Sequence, residues 1–189
     1  VFAITRLAPG GPLEQAMMQM QQISEDGGGG LNSGSDQALS EDQLEQMKRL
    51  LARCLEEGAM GFSSTIAITH NDADGKPVPS RHATHEELIE LAAVCKDHDG
   101  TSLEFLPAQG MFSDDVINLM IELSNAAERP LNWNVLAAGN QQMMANHLSA
   151  SDRAIAAGAD VRALTRAQPM TLRINLYAGF VFDALEGWG

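Results

Sequence analysis

The sequence predicts an α/β protein made of successive βα units on a parallel sheet, and three observations lead there. Capped amphipathic helices alternate with short apolar segments. Those segments begin near positions 59, 101, 131 and 161, separated by 42, 30 and 30 residues, the spacing of strands joined by helical crossovers. Glycine or proline stops the helices before the next apolar segment. Such a chain is either a doubly wound sheet or part of a barrel. A complete eight-unit barrel needs about 250 residues, so a chain of 189 residues with four or five units is too short for one.

The first forty residues differ in texture. A Met- and Gln-rich run, Gln15 to Gln22, precedes four glycines, Gly27 to Gly30, which cannot hold a helix or strand at acceptable entropy cost and read as a linker. Met17, Met18 and Met20 are the gap-filling kind of methionine more readily than a partner-gripping stripe. The tetraglycine lacks the Lys-Ser or Lys-Thr of a phosphate loop. Residues 1–40 are therefore set apart from 41–189.

From Ser40 the pattern is regular. Ser40 with Gln43 forms a capping box for a helix carrying Leu44, Met47, Leu51 and Leu55 and stopped at Gly58. A strand is expected over 59–63. Thr84 with Glu87 opens a second helix with Leu88, Leu91, Ala92 and Cys95, ending near Gly100, and a strand over 101–106 follows. Ser113 caps a third helix (Val116, Ile117, Met120, Ile121), Pro130 forbids its continuation, and 131–136 is the third strand. A fourth helix over 141–157 ends at Gly158 and leads to a strand over 161–164.

Composition narrows the function. The chain is 44% apolar and 20% charged, and no apolar run approaches the roughly 18 residues of a membrane helix. Twelve basic against twenty-five acidic residues give −13, which argues against nucleic acid and anionic membrane as partners. The densest basic stretch, Arg162, Arg166 and Arg173, spans twelve positions. Cys54 and Cys95 lie in apolar helix stripes, as reduced buried thiols do, so a cytoplasmic setting is expected. A start at Val1 and an end in mid-pattern at Gly189 read as a fragment.

Parallel α/β folds collect reactive groups at the carboxyl ends of strands. After the first strand come Ser63 and Ser64, then an insert with His70, Asn71, Asp72, Asp74, Gly75 and Arg81. Its length of about twenty residues is that of a functional loop, although a solvated acidic turn is its plainer explanation. A calcium loop fails, because His70 and Arg81 fall where carboxylates are required. A hydrolase elbow fails for want of the second glycine after Ser63. Glu104 interrupts the apolar second strand, and a buried carboxylate needs a partner. Asn132 and Asn134 flank Trp133, so alternation places both amides on one face and the indole on the other. Arg166 and Gln168 follow the fourth strand and are suited to a carboxylate. Of five histidines, His82 and His85 stand closest, yet only one can lie within the helix, which makes a shared metal a minor alternative.

Leu55-Glu-Glu-Gly-Ala-Met-Gly-Phe-Ser-Ser64, Thr69-His-Asn-Asp-Ala-Asp-Gly75 and Pro79-Ser-Arg-His-Ala83 resemble the N-acyl-D-amino-acid deacylase branch of the amidohydrolase superfamily. The segments Gly100 to Phe105, Arg129 to Leu136 and Gly179 to Trp188 resemble later blocks of that branch in the same order. The resemblance covers roughly residues 40–189. It implies a metal-dependent hydrolase with a TIM (β/α)8 barrel, incomplete in this chain. It also implies amide C–N hydrolysis of a small-molecule substrate and a divalent metal, zinc being the expected one, in the full-length parent. The family's first-strand His-x-His is absent, and its last-strand Asp would lie beyond Gly189. Where the family carries single histidine ligands, this chain has Glu104-Phe105 and Asn134-Val135. Three readings remain open: Glu104 and Asn134 take over part of the site, metal is bound differently, or none is bound. The expected substrate mouth comprises Ser63, Ser64, His70, Asn71, Asp72, Arg81, Asn132 and Asn134, with Arg81 gripping a carboxylate and Glu104 as acid/base or ligand. The competing reading is a non-catalytic half-barrel that pairs its sheet edges with another chain, a homo-oligomer included, or a metal-free pseudo-enzyme.

Overall fold

The structure, a computed structural model, describes residues 40–72, 76–108, 110–136, 141–165, 167, 168 and 171. The chain separates into two units, Val1–Leu39 and Ser40–Gly189, and every described residue belongs to the second. The N-terminal linker, Asp74, Gly75, Arg166 and Gly179 to Trp188 lie outside the described residues.

Four helix–strand pairs follow one another. Helix α1 (Glu41–Glu56) starts at the Ser40–Gln43 capping box and leads to β1 (Gly61–Thr65). Helix α2 (His85–Ala93) is capped by Thr84, whose hydroxyl accepts the Glu87 N–H. It tightens into a 3-10 turn, Val94–Asp97, before β2 (Ser102–Leu106). Helix α3 (Asp114–Ala127), capped by Ser113, ends on Glu128 in the left-handed region. Then come β3 (Leu131–Asn134), α4 (Gln141–Ala156) and β4 (Val161–Leu164). Acidic residues occupy the first turns of α1, α2 and α3, where the helix dipole favours them.

The strands lie in the order β1-β2-β3-β4, all parallel. Right-handed crossovers that always step in one direction put every helix on one face of the sheet, and each helix indeed packs on the next. A doubly wound sheet reverses its strand order partway. The described sheet does not, so of the two architectures open to the sequence, the structure takes the barrel arc.

One core lies between sheet and helices. Leu103, Phe105, Leu131, Trp133 and Val161 pack against Leu55, Leu88, Ala92, Ile117, Met120 and Leu123. Fully burying one such side chain is worth about 1.5–3 kcal/mol, and this two-layer core is what fixes the strands. Cys95 is buried within it, Cys54 is half-buried, and both are free thiols.

Two strand boundaries differ from expectation by two residues. Strand β1 occupies 61–65 rather than 59–63, because Gly58 turns the chain at φ 100° and Met60 is exposed. Strand β3 stops at Asn134 rather than 136, although the Leu136 N–H still donates to the Leu164 carbonyl at 2.8 Å. Among the described residues no helix is long and apolar enough to cross a membrane.

Candidate functional site

Alternation along the strands creates two unlike faces. Phe105 and Trp133 point into the helix-covered core, while Glu104, Asn132 and Asn134 are half-buried on the opposite face. Register places Ser63 beside Glu104, Glu104 beside Asn132, and Asn132 beside Arg162. This polar row crosses all four strands. At its centre the Asn134 Nδ2 donates to Glu104 Oε1, and the Asn132 Nδ2 donates to the Leu103 carbonyl at 3.4 Å. The Glu104 carboxylate is thus held in place by a neutral donor. Its charge is uncompensated among the described residues, so it can accept a hydrogen bond or a proton.

Ser63 and Ser64, adjacent in β1, fall on opposite faces: Ser63 shares the Glu104 side and Ser64 the side of Phe105. The two serines therefore cannot line the same surface. Exposed apolar side chains follow the strands in sequence, with Ile68 after β1, Met111 after β2, Val135 after β3 and Leu164 at the end of β4. The Asn134–Val135 peptide at this rim is cis.

The described residues of the insert between β1 and α2 form an antiparallel pairing followed by a turn. Asn71 pairs with Pro77 in an antiparallel bridge, the Asp72 N–H donates to the Lys76 carbonyl at 2.8 Å, and the Val78 N–H to the His70 carbonyl at 3.3 Å. The Lys76 N–H donates back to Asp72 Oδ1. A 3-10 turn, Pro79–Arg81, follows and packs on β1. Across it the half-buried Arg81 donates from Nη1 to Asn71 Oδ1 at 2.5 Å. His70 and Asp72 are exposed. The geometry thus joins Asn71 with Arg81, and Glu104 with Asn134.

Two residues that sequence reasoning did not single out hold the loop after β2. On α4, Asn146 accepts the Phe112 N–H at 2.7 Å and donates to the Phe112 carbonyl at 3.1 Å. His147 Nε2 bonds the Gly110 carbonyl at 2.7 Å. The imidazole stacks on Phe112 and meets Trp133 edge-on. These contacts join residues 34 and 37 positions apart, and no local pattern announces them.

The donor set does not suit a metal. Among the described residues no three His, Cys, Asp or Glu side chains come together, and Glu104 is the single carboxylate within the four strands. His82 and His85 are both exposed.

No protein-family model and no curated protein matches the chain. Solved structures do. A D-aminoacylase reported to define a novel subset of amidohydrolases matches at 18% identity and a TM-score of 0.50, over 74% of this chain and 28% of that one. A D-aminoacylase studied for its binuclear metal centre matches at 19% identity and a TM-score of 0.49, over 73% of this chain. A D-aminoacylase variant in complex with CuCl2 gives the same identity and score. The chain spans 27 to 28% of the length of these proteins. At this identity the likeness is one of fold: the described units are arranged like a segment of that D-aminoacylase.

Proposed function

We propose that this chain is part of a hydrolase acting on non-peptide C–N bonds, with N-acyl-D-amino acids as the substrate class. The carrying observation is the Glu104 carboxylate, held by Asn134 on the face of a parallel arc that the helices leave free. Its support is the fold of the matching D-aminoacylases. A carboxylate placed there can take a proton from an attacking water or return one to a leaving amine. Arg81 supplies the complementary charge for the substrate carboxylate, and the apolar strand-end residues face its acyl portion. A divalent metal, zinc being the expected one, finds no ligand set among the described residues, so they bind, orient and move protons.

The test uses the full-length parent. Metal content by mass spectrometry and release of free amino acid from N-acetyl-D-amino acids are measured in the wild type and in Glu104→Gln. Turnover in the wild type and a loss of about 100-fold or more in the variant, with unchanged melting temperature, is the expected result. A wild type that binds but never hydrolyses these amides would instead favour a non-catalytic subunit or pseudo-enzyme, and an unaffected variant would remove Glu104 from the chemistry.

A further inference from the structure

Arg81 is the exception among the described arginines. Arg129, Arg153 and Arg162 are paired with Asp99, Asp114 and Asp160, Arg49 donates to a helix carbonyl, and Arg53 is exposed on α1. Arg81 is half-buried, and among the described residues its hydrogen bond goes to an amide oxygen, Asn71 Oδ1. In a chain with twenty-five acidic residues, a half-buried guanidinium has abundant potential partners. Leaving it on a neutral acceptor keeps its full charge while part of its hydration is lost, a cost that an incoming anion recovers.

The bond is also specific in direction. A guanidinium only donates, so Asn71 must present its oxygen. Because Nη1 is the donor, the opposite edge, formed by Nε and Nη2, is unclaimed among the described residues, and that edge matches both oxygens of a carboxylate. The backbone braces the pair. Val78 donates to His70, Arg81 donates to Val78, and the side-chain bond closes this hairpin-and-turn unit ten residues apart in sequence.

We infer that Asn71 is a positioning residue that holds Arg81 by a neutral bond, so that its Nε–Nη2 edge stays charged and free for the carboxylate of an N-acyl amino acid. The inference rests on the reading of Arg81 as the anion grip. It adds that residue 71 must be a neutral acceptor. An aspartate there has the same shape and would keep the hydrogen bond, but it would neutralise the grip.

The experiment follows the arginine Nε–H signals of the 189-residue chain by NMR, titrated with N-acetyl-D-alanine and, as a carboxylate-free control, N-acetyl-D-alaninamide. The acid should shift the Arg81 signal saturably and the amide should not. Asn71→Asp should keep the native spectrum elsewhere and lose at least about tenfold in affinity, and Asn71→Ala should weaken binding by about fivefold or more. Binding by Asn71→Asp equal to the wild type, with Arg81→Ala inactive in binding, overturns the role of Asn71 and leaves the grip standing. Binding that survives Arg81→Ala, or a wild type blind to the acid, overturns both.

Discussion

A methyl group on Gly61 would lie 1.7 Å from the Ser102 carbonyl oxygen, at a backbone φ of 148°. The obstacle is a backbone atom of the neighbouring strand, which cannot swing aside as a side chain can. Gly61→Ala should therefore displace β1 from β2 and cost at least about 2 kcal/mol, read as a lower urea midpoint at unchanged slope. A midpoint within error of the wild type would show that the two strands separate freely. Glu87 makes a prediction of opposite character. Burial raises its carboxyl above the ordinary carboxylate range, whereas in the unfolded chain it returns to that range. Below that range both states hold the proton and nothing is lost. As pH rises through the raised native value, the folded state must ionise a half-buried group, and the stability it had at low pH is lost. The chain should therefore lose stability as pH rises from the ordinary carboxylate value through the raised native one, and Glu87→Gln should flatten that slope in a pH series of thermal melts. An equal slope in both proteins would assign it to other carboxylates.

At the scale of elements, what was legible depended on whether the signal was local. Ser40, Thr84 and Ser113 each accept the N–H three residues on, and such caps can be read in sequence because both partners lie within one turn. Strand β4 falls where its apolar run places it, and the Asn132–Trp133–Asn134 alternation is borne out by burial. The start of β1 was not legible, since the turn at Gly58 and the pairing of Gly61 with Ser102, forty-one positions away, set it. Nor was the pairing of Glu104 with Asn134, thirty positions apart, or the bracing of the loop after β2 by Asn146. That brace yields a prediction. Asn146→Ala removes both bonds to the Phe112 backbone, leaving a partly buried N–H and carbonyl unsatisfied, at about 1–3 kcal/mol for each buried group so exposed. Amide exchange should speed up first over residues 110–113, with β2 itself still protected. Uniform acceleration across β2 and β3 would mean that the loop and the sheet open as one unit.

For the whole molecule, the sign of the salt effect decides which electrostatic force dominates. Six ion pairs join described residues, and in each of them at least one side chain is exposed. Exposed pairs contribute about 0–1 kcal/mol each and are weakened by salt. Arg129 is different: it is 16% exposed and gathers the carbonyls of Lys96, His98 and Glu128 together with Thr101 and Asp99, so most of its bonds go to fixed backbone oxygens and survive screening. Against the pairs stands a net charge of −13, whose mutual repulsion opposes the compact state and is relieved when the screening length falls to about 8 Å near physiological salt. Repulsion acts among all the carboxylates, whereas the pairs are local and already partly solvated. Raising sodium chloride from about 0.01 to 0.15 M should therefore raise the melting temperature, by about 2–4 °C if the net gain is near 1 kcal/mol. A fall over the same range would put the ion pairs ahead of the net charge, and Arg129→Lys, which keeps the charge but loses the planar fork, would then show whether that one residue accounts for it.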